Sequence, residues 1–308
     1  MPNYNGVWSL TTQLQYNVDW PVFSQPRALF LGGNTGSKET VIQFIDVTTT
    51  GNASDFGDLT AGRASLMSAS SKIRAVAAGG NTGSAVNVID YVTIASEGNA
   101  SDFGDLSSTS QEGTGTGSST RGLFQLGLAT DNVNTIEYVT IASTGNATDF
   151  GDRTTTAAYG QDSAISSPTR GVFSGGFISN SVNIIDYVTI ASTGDATDFG
   201  DTSVTRYGMG GASSATRGVF GGGNTSGDTM DYITIASTGN ASDFGNLTNS
   251  PRYISGTSNG VRGVFGGGKV SSTRQDVIQY ITIASTGNAS DFGNLIASNF
   301  SLTATSGS

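Results

Sequence analysis

A phrase built around Asp-Phe-Gly is written six times in this chain, with its Asp at Asp55, Asp102, Asp149, Asp198, Asp243 and Asp291. Consecutive copies stand 47, 47, 49, 45 and 48 residues apart. A second marker is an Arg that opens an apolar run, at Arg27, Arg74, Arg121, Arg170, Arg217 and Arg262, with spacings of 47, 47, 49, 47 and 45. Two independent markers keep one period, and a fixed period of this length is the signature of a repeat architecture. Each unit reads as four short strands. In residues 62–106, "RASLMSAS" is strand a and "IRAVAAGG" is strand b. "VNVIDYVTIAS" is strand c, and "ASDFGDL" opens strand d after a Gly-Asn turn. Turn residues separate the runs, and no segment shows the 3.6-residue apolar period of a helix. A solenoid fits less well than a ring. Twisted four-stranded faces must pack on two neighbours, and a ring supplies both to every blade. The expectation is an all-β chain: a six-bladed β-propeller of four-stranded antiparallel blades over residues 27–296, with units starting near 27, 74, 121, 170, 217 and 262.

Taken singly, Asp-Phe-Gly is the magnesium-binding turn of protein kinases. There it occurs once, beside a Gly-rich loop, a Lys-bearing strand and a His-Arg-Asp loop. This chain has no His at all, and six copies point to architecture. Phe56, Phe103, Phe150, Phe199, Phe244 and Phe292 are expected as inter-blade core, each worth a few kcal/mol when buried. Their Asp neighbours are expected to accept backbone N–H groups in the turn, and the Gly that follows to allow a bulge or a positive φ. A calcium site at Asp55 with Asp58 is disfavoured, because two carboxylates are too few and Asn246 and Asn294 replace the second one. Two readings stand for the six Arg residues: pairing across blades with a turn Asp or a carbonyl, or a ring that binds an anionic glycan. Gly-Asn-Ala-Ser/Thr is read as turn chemistry, with Asp195 in place of the Asn in the fourth unit.

The absence of His and Cys excludes Ser-His-Asp triads, Cys nucleophiles, disulfides and ordinary zinc or copper centres. No cofactor and no enzymatic activity are expected. A net charge of −10 argues against a nucleic-acid partner. No stretch approaches the roughly 20 apolar residues of a membrane helix. The opening Met-Pro-Asn-Tyr-Asn-Gly lacks the basic and apolar regions of a secretion signal.

"RGVFGGG" at 217–223, "MDYITIAS" at 230–237 and "DFGNL" at 243–247 resemble kelch repeats, in which a run ending in Gly-Gly precedes a Tyr-bearing strand and a later aromatic. Phe stands where kelch repeats usually carry Trp, and the third unit reads "RGLFQLG" without the Gly pair. The c–d turns are nearly constant, whereas the b–c loops vary, and variable loops on one face are where a propeller carries function. Candidate binding residues are Lys38, Glu39, Asp131, Asp228, Lys269, Arg274 and Asp276.

Residues 1–26 hold both Trp residues, Trp8 and Trp20. "VWSLT" echoes the end of a strand d, and "TTQLQYNV" reads as a strand a for the first unit. This segment is expected either to close the ring or to form an anchoring arm. At the other end, residues 297–308 are expected as a closing strand or a tail, because "ASNFSLTATS" aligns with the strand a start "NSPRYISGTS". The phrases "TIASTGNATDFGD" and "RGVFGGG", with the opening "NGVWSLTTQ" and a later "WP", resemble virion appendage proteins of tailed phages of aquatic bacteria, including cyanophages. That resemblance implies a tail-fibre, tail-tip or capsid-decorating propeller, made in the host cytoplasm and carried in the virion in several copies. It implies contact with other virion proteins through residues 1–26 and with a host-surface glycan or protein. The alternative is a free carbohydrate- or protein-binding lectin module of kelch type.

Overall fold

The computed structural model describes residues 26–128, 133–155 and 163–307; Trp8, Trp20 and Asp131 lie outside the described residues. The described chain is all-β, with twenty-five strands in six antiparallel sheets. The second sheet shows the plan. Strand a is β4 (Met67–Ser70), b is β5 (Arg74–Ala78), c is β6 (Val86–Thr93) and d is β7 (Ser101–Ser110), paired in that order. The third to fifth sheets repeat it with β8 (Thr114–Gly117) to β11 (Thr148–Asp152), β12 (Ser163–Ser166) to β15 (Thr197–Asp201), and β16 (Met209–Ser213) to β19 (Ser242–Asn246). In the sixth, β20 (Ser255–Ser258), β21 (Arg262–Gly266), β23 (Thr273–Thr282) and β24 (Ser290–Asn299) form the blade, and the two-residue β22 (Lys269–Val270) folds back on β23 as a hairpin. The first sheet takes b, c and d from β1 (Arg27–Leu31), β2 (Val41–Asp46) and β3 (Ser54–Asp58). Its strand a comes from the far end of the sequence: β25 (Thr303–Ser306) pairs with β1, Leu29 opposite Thr305. That position is the one for which "TTQLQYNV" was a candidate, a segment outside the described residues. The inner strands β4, β8, β12, β16, β20 and β25 touch in sequence and back to β4, so the ring is closed and the fold is a six-bladed β-propeller.

Burial follows from this plan. Strand b is buried at every position after its Arg, because blades cover both of its faces. Strand c buries Ile89, Asp90 and Val92, leaves Tyr91 half-buried and ends exposed at Thr93. Six hydrophobic clusters result, one at each blade boundary. One joins Met67, Ile89 and Phe103 of the second blade to Phe124, Val139 and Ile141 of the third. Small residues follow the Arg of strand b for lack of space: a Cβ on Gly218 would stand 1.7 Å from Ile165 Cδ1 of the preceding blade.

The Asp-Phe-Gly phrase supplies both halves of the joint between blades. Phe56 and its five equivalents are buried and meet the strand c aromatic of their own blade edge-on, at 5.9–6.1 Å between ring centroids. Each sits in a β-bulge, as at Ile42/Gln43 opposite Asp55 and Gly57. The turn of the next blade docks on the bulged strand: Gly98 N–H donates to the Phe56 carbonyl at 2.8 Å, and Ala100 N–H to that of Asp58 at 2.7 Å. The Asn99 side chain then accepts the Asp58 N–H at 3.1 Å. This clasp recurs at all six boundaries, with Asp195 Oδ1 as the acceptor at one of them. The acceptor role expected of the repeated Asp is thus filled by the Asn of the neighbouring blade, and Asp55 and its equivalents stand exposed beside the joint. Asp serves at 195 because only the Oδ1 atom is used.

The six Arg residues lie across the same boundaries. Each guanidinium stacks on the strand c aromatic of its own blade at 4.2–4.5 Å, and each donates to a main-chain carbonyl of the following blade at 2.7–3.2 Å, as Arg74 does to Ile141. Planar geometry and weak hydration suit Arg to this double contact.

Candidate functional site

The b–c loops and the d–a connections share one face of the ring. On it, Arg252 bridges to Lys269, with main-chain hydrogen bonds of 2.9 and 2.8 Å, and Lys269 stands opposite Arg274 in the β22–β23 hairpin. Residues directly opposite across strands place their side chains side by side, and like charges so placed destabilise each other. Three cations therefore form one row. Among the described residues none of the three has a carboxylate within ion-pair distance. Burial first, and then the charges of Arg274 and Arg252, hold the Lys269 ammonium below its ordinary pKa.

Beside this row runs a ladder of aromatic rings. Phe177 meets Tyr207 at 5.4 Å, Tyr207 meets Tyr253 at 5.9 Å, and Tyr253 meets Phe300 at 6.3 Å. Lys269 Nζ lies 3.5 Å from the centre of the Phe300 ring, and Arg274 lies 5.8 Å from it. Arg252 stands 5.6 Å from Tyr253. Burial, the Tyr207 hydroxyl and Glu112 raise the Tyr253 phenol well above its ordinary pKa, with Arg252 acting against them. Tyr253 also has φ of +57°, and the corresponding d–a positions Ser65, Glu112, Gly208 and Ser301 share that left-handed conformation. A bulky residue there carries a conformational cost that a Gly would avoid.

This cluster departs from the repeat. Where other units carry Ala64 and Gln111, the blades around it carry Tyr207, Arg252 and Phe300. Of the 14 basic residues, the six strand b arginines join blades, and Arg63, Arg153 and Arg206 pair with buried Asp90, Asp186 and Asp231. That leaves Lys38, Lys72, Arg252, Lys269 and Arg274, and three of these five converge here.

Of the loop residues expected from sequence, the structure brings Lys269 and Arg274 into the cluster. Loop 34–38 passes close by, with Gly36 beside Arg274 and Lys38 half-buried. Glu39 accepts hydrogen bonds from Thr35 and Ser37 within its own loop. Asp276 accepts one from Asn294 at 3.3 Å. Asp228 is half-buried, and its main chain pairs with Leu247. Sequence reasoning missed Phe177, Tyr207, Arg252, Tyr253 and Phe300. Aligning the units position by position along the d–a connections would have exposed four of them.

The opposite face holds the mouth of the central channel, a funnel of about 400 Å³ between the inner strands and the a–b turns. Ser70, Thr116, Ser166, Ser213, Thr257 and Thr305 are among its lining residues, and Lys72 is the charged one. Several of the hydroxyls around it hold the ring: Ser68 bonds Thr303, Thr305 donates to Ser70, and Ser258 donates to the Ser213 carbonyl, each at 2.6 Å. No protein-family model and no curated protein matches the chain, so its role is argued from the ring and from the cluster on the loop face.

Proposed function

We propose that the protein is a non-catalytic binding and assembly module, carried as a structural component of a tailed-phage virion, where it presents the loop face to a host surface or to neighbouring virion proteins. The observation that carries the binding reading is a division of labour. The groups that recur in every unit join blade to blade, and a pronounced chemical departure from the repeat among the described residues is the aromatic and cationic cluster of Arg252, Lys269, Arg274, Tyr253 and Phe300 on the loop face. A rigid scaffold that displays a distinctive loop face is how repeat folds bind partners. The placement in a virion rests on the resemblance of the repeat phrases to those of phage appendage proteins.

Quantitative mass spectrometry of purified particles tests that placement. The expected result is a fixed copy number per particle, in multiples of three or six. Absence from particles that contain the other structural proteins overturns the virion placement and favours the free lectin-type module.

A further inference from the structure

We propose that the row Arg252–Lys269–Arg274 and the aromatic ladder beside it form a binding site for an acidic saccharide, with the cations taking its carboxylate groups and the rings taking the apolar faces of its sugars. The inference deepens the binding-module reading and rests on it. It does not depend on the virion placement.

Three observations converge. First, the cations are in direct cross-strand register, with no carboxylate in ion-pair distance among the described residues, in a chain whose net charge is −10. Such a row opposes folding in the unliganded protein, and an anion lying along it would relieve that repulsion. Neither the clasp nor the buried ion pairs use these residues; their charged ends rest against Phe300 and Tyr253. Second, the anion-binding groups adjoin rings rather than other polar groups. The interplanar angles of 54–74° along Phe177, Tyr207, Tyr253 and Phe300 keep the rings from stacking flat on one another. A pyranose has one or two faces of C–H bonds that pack on such surfaces, while its carboxylate reaches sideways to a charge. Phosphate or sulfate alone would use the cations and make no use of the Tyr207 and Tyr253 rings beside them. Third, at the left-handed d–a position that Ser65, Glu112, Gly208 and Ser301 also occupy, Tyr253 is the aromatic side chain among the described residues, and a bulky residue there carries a backbone cost that Gly208 avoids.

The predicted ligand is therefore an oligosaccharide of uronic-acid type. Arg252 and Arg274 offer fork-shaped donors matched to a carboxylate, and Lys269 offers a point charge between them.

Isothermal titration calorimetry with tetragalacturonate, on the full chain, tests the proposal. The expected result is binding that weakens as salt rises and falls about tenfold or more in Lys269→Gln/Arg274→Gln. The methyl-esterified oligosaccharide, which keeps the sugar faces and loses the charge, should bind far more weakly. Tyr207→Ala should weaken binding while leaving the charges in place. Thermal unfolding of each variant checks that the ring is intact. The double charge variant should be at least as stable as the parent at low salt, whereas a purely structural role for these residues would make it less stable. Failure to bind tetragalacturonate, equal binding of its methyl ester, or indifference to the charge substitutions would overturn the proposal. Equal affinity for inorganic sulfate would reduce the row to a simple anion site, and equal affinity for a poly-glutamate peptide would make it a docking site for acidic protein; either would refute the saccharide. None of these results bears on the copy number in particles, so the two readings fail separately.

Discussion

A single methyl group tests how closely the blades approach. At Gly104 φ is +147°, and an added Cβ would stand 2.5 Å from the carbonyl oxygen of Gly145 in the next blade. At Gly83 φ is nearly the same, +145°, but nothing lies within 4 Å of the added atom. Alanine at Gly83 therefore reports backbone strain alone, about 1–2 kcal/mol. Alanine at Gly104 adds a clash against main chain that cannot swing aside, and should cost about 4 kcal/mol or more. Urea unfolding of the two variants measures the difference. Equal losses would show that the clasp has slack and that the repeated Gly serves its own strand's conformation only.

Strand c carries a buried acceptor in each blade: Gln43, Asp90, Glu137, Asp186, Asp231 and Gln279. Each takes a main-chain N–H from strand d of the preceding blade or from the d–a connection that follows it; Asp231, for example, accepts from Ser203. Asp231 is further bonded by Arg206 at 2.7 Å, both side chains fully buried, and burial lowers the pKa of that guanidinium while Asp231 opposes the shift. Asp231→Asn should cost about 3 kcal/mol, because it strands a buried cation. Arg206→Met with Asp231→Gln should recover most of that loss, since the sixth blade already holds this position with Gln279 and carries Pro251 where Arg206 stands. Thermal melts of the single and double variants decide it. A double variant no more stable than Asp231→Asn would mean that the ion pair contributes something the neutral pair cannot. The strands themselves were legible, since the turn residues and the two periodic markers delimit them. What joins them was less so. The repeated Asp was expected to satisfy its own turn, whereas the acceptor is Asn99 of the next blade, and a reading confined to one unit does not see across that boundary. The aromatic ladder was hidden for a related reason. Phe177 comes from a b–c loop and Tyr207, Tyr253 and Phe300 from three successive d–a connections, where Tyr207 and Phe300 hold equivalent positions, and the rings meet because the propeller brings these segments together.

Closure of the ring depends on β25, which borders β1 in its own sheet and β4 and β20 on the channel side. Leu302, just ahead of it, is buried with Phe30 and Leu295, and Ser68 and Ser70 hold its Thr303 and Thr305. Ending the chain at Leu302 would expose one edge of β1, leave the second and sixth blades without an inner neighbour, and remove several main-chain hydrogen bonds together with those of the hydroxyls. The loss should be roughly 5 kcal/mol or more, a large part of the stability of an ordinary domain. Such a loss alone does not separate closure from the removal of well-packed residues. A circular rearrangement does. In the sixth blade, strand a reaches strand b through the three residues Asn259, Gly260 and Val261. Phe300–Ser306 grafted in place of residues 1–25, followed by a turn of that kind and then Arg27, would supply the same strand to the same site by the connection the other blades use. If closure is what matters, the rearranged chain melts within a few degrees of the parent, and the truncated chain melts far below both. If the rearranged chain is as weak as the truncated one, then the covalent continuity of β24 into β25, and not the presence of an inner strand in the first blade, is what stabilises the ring.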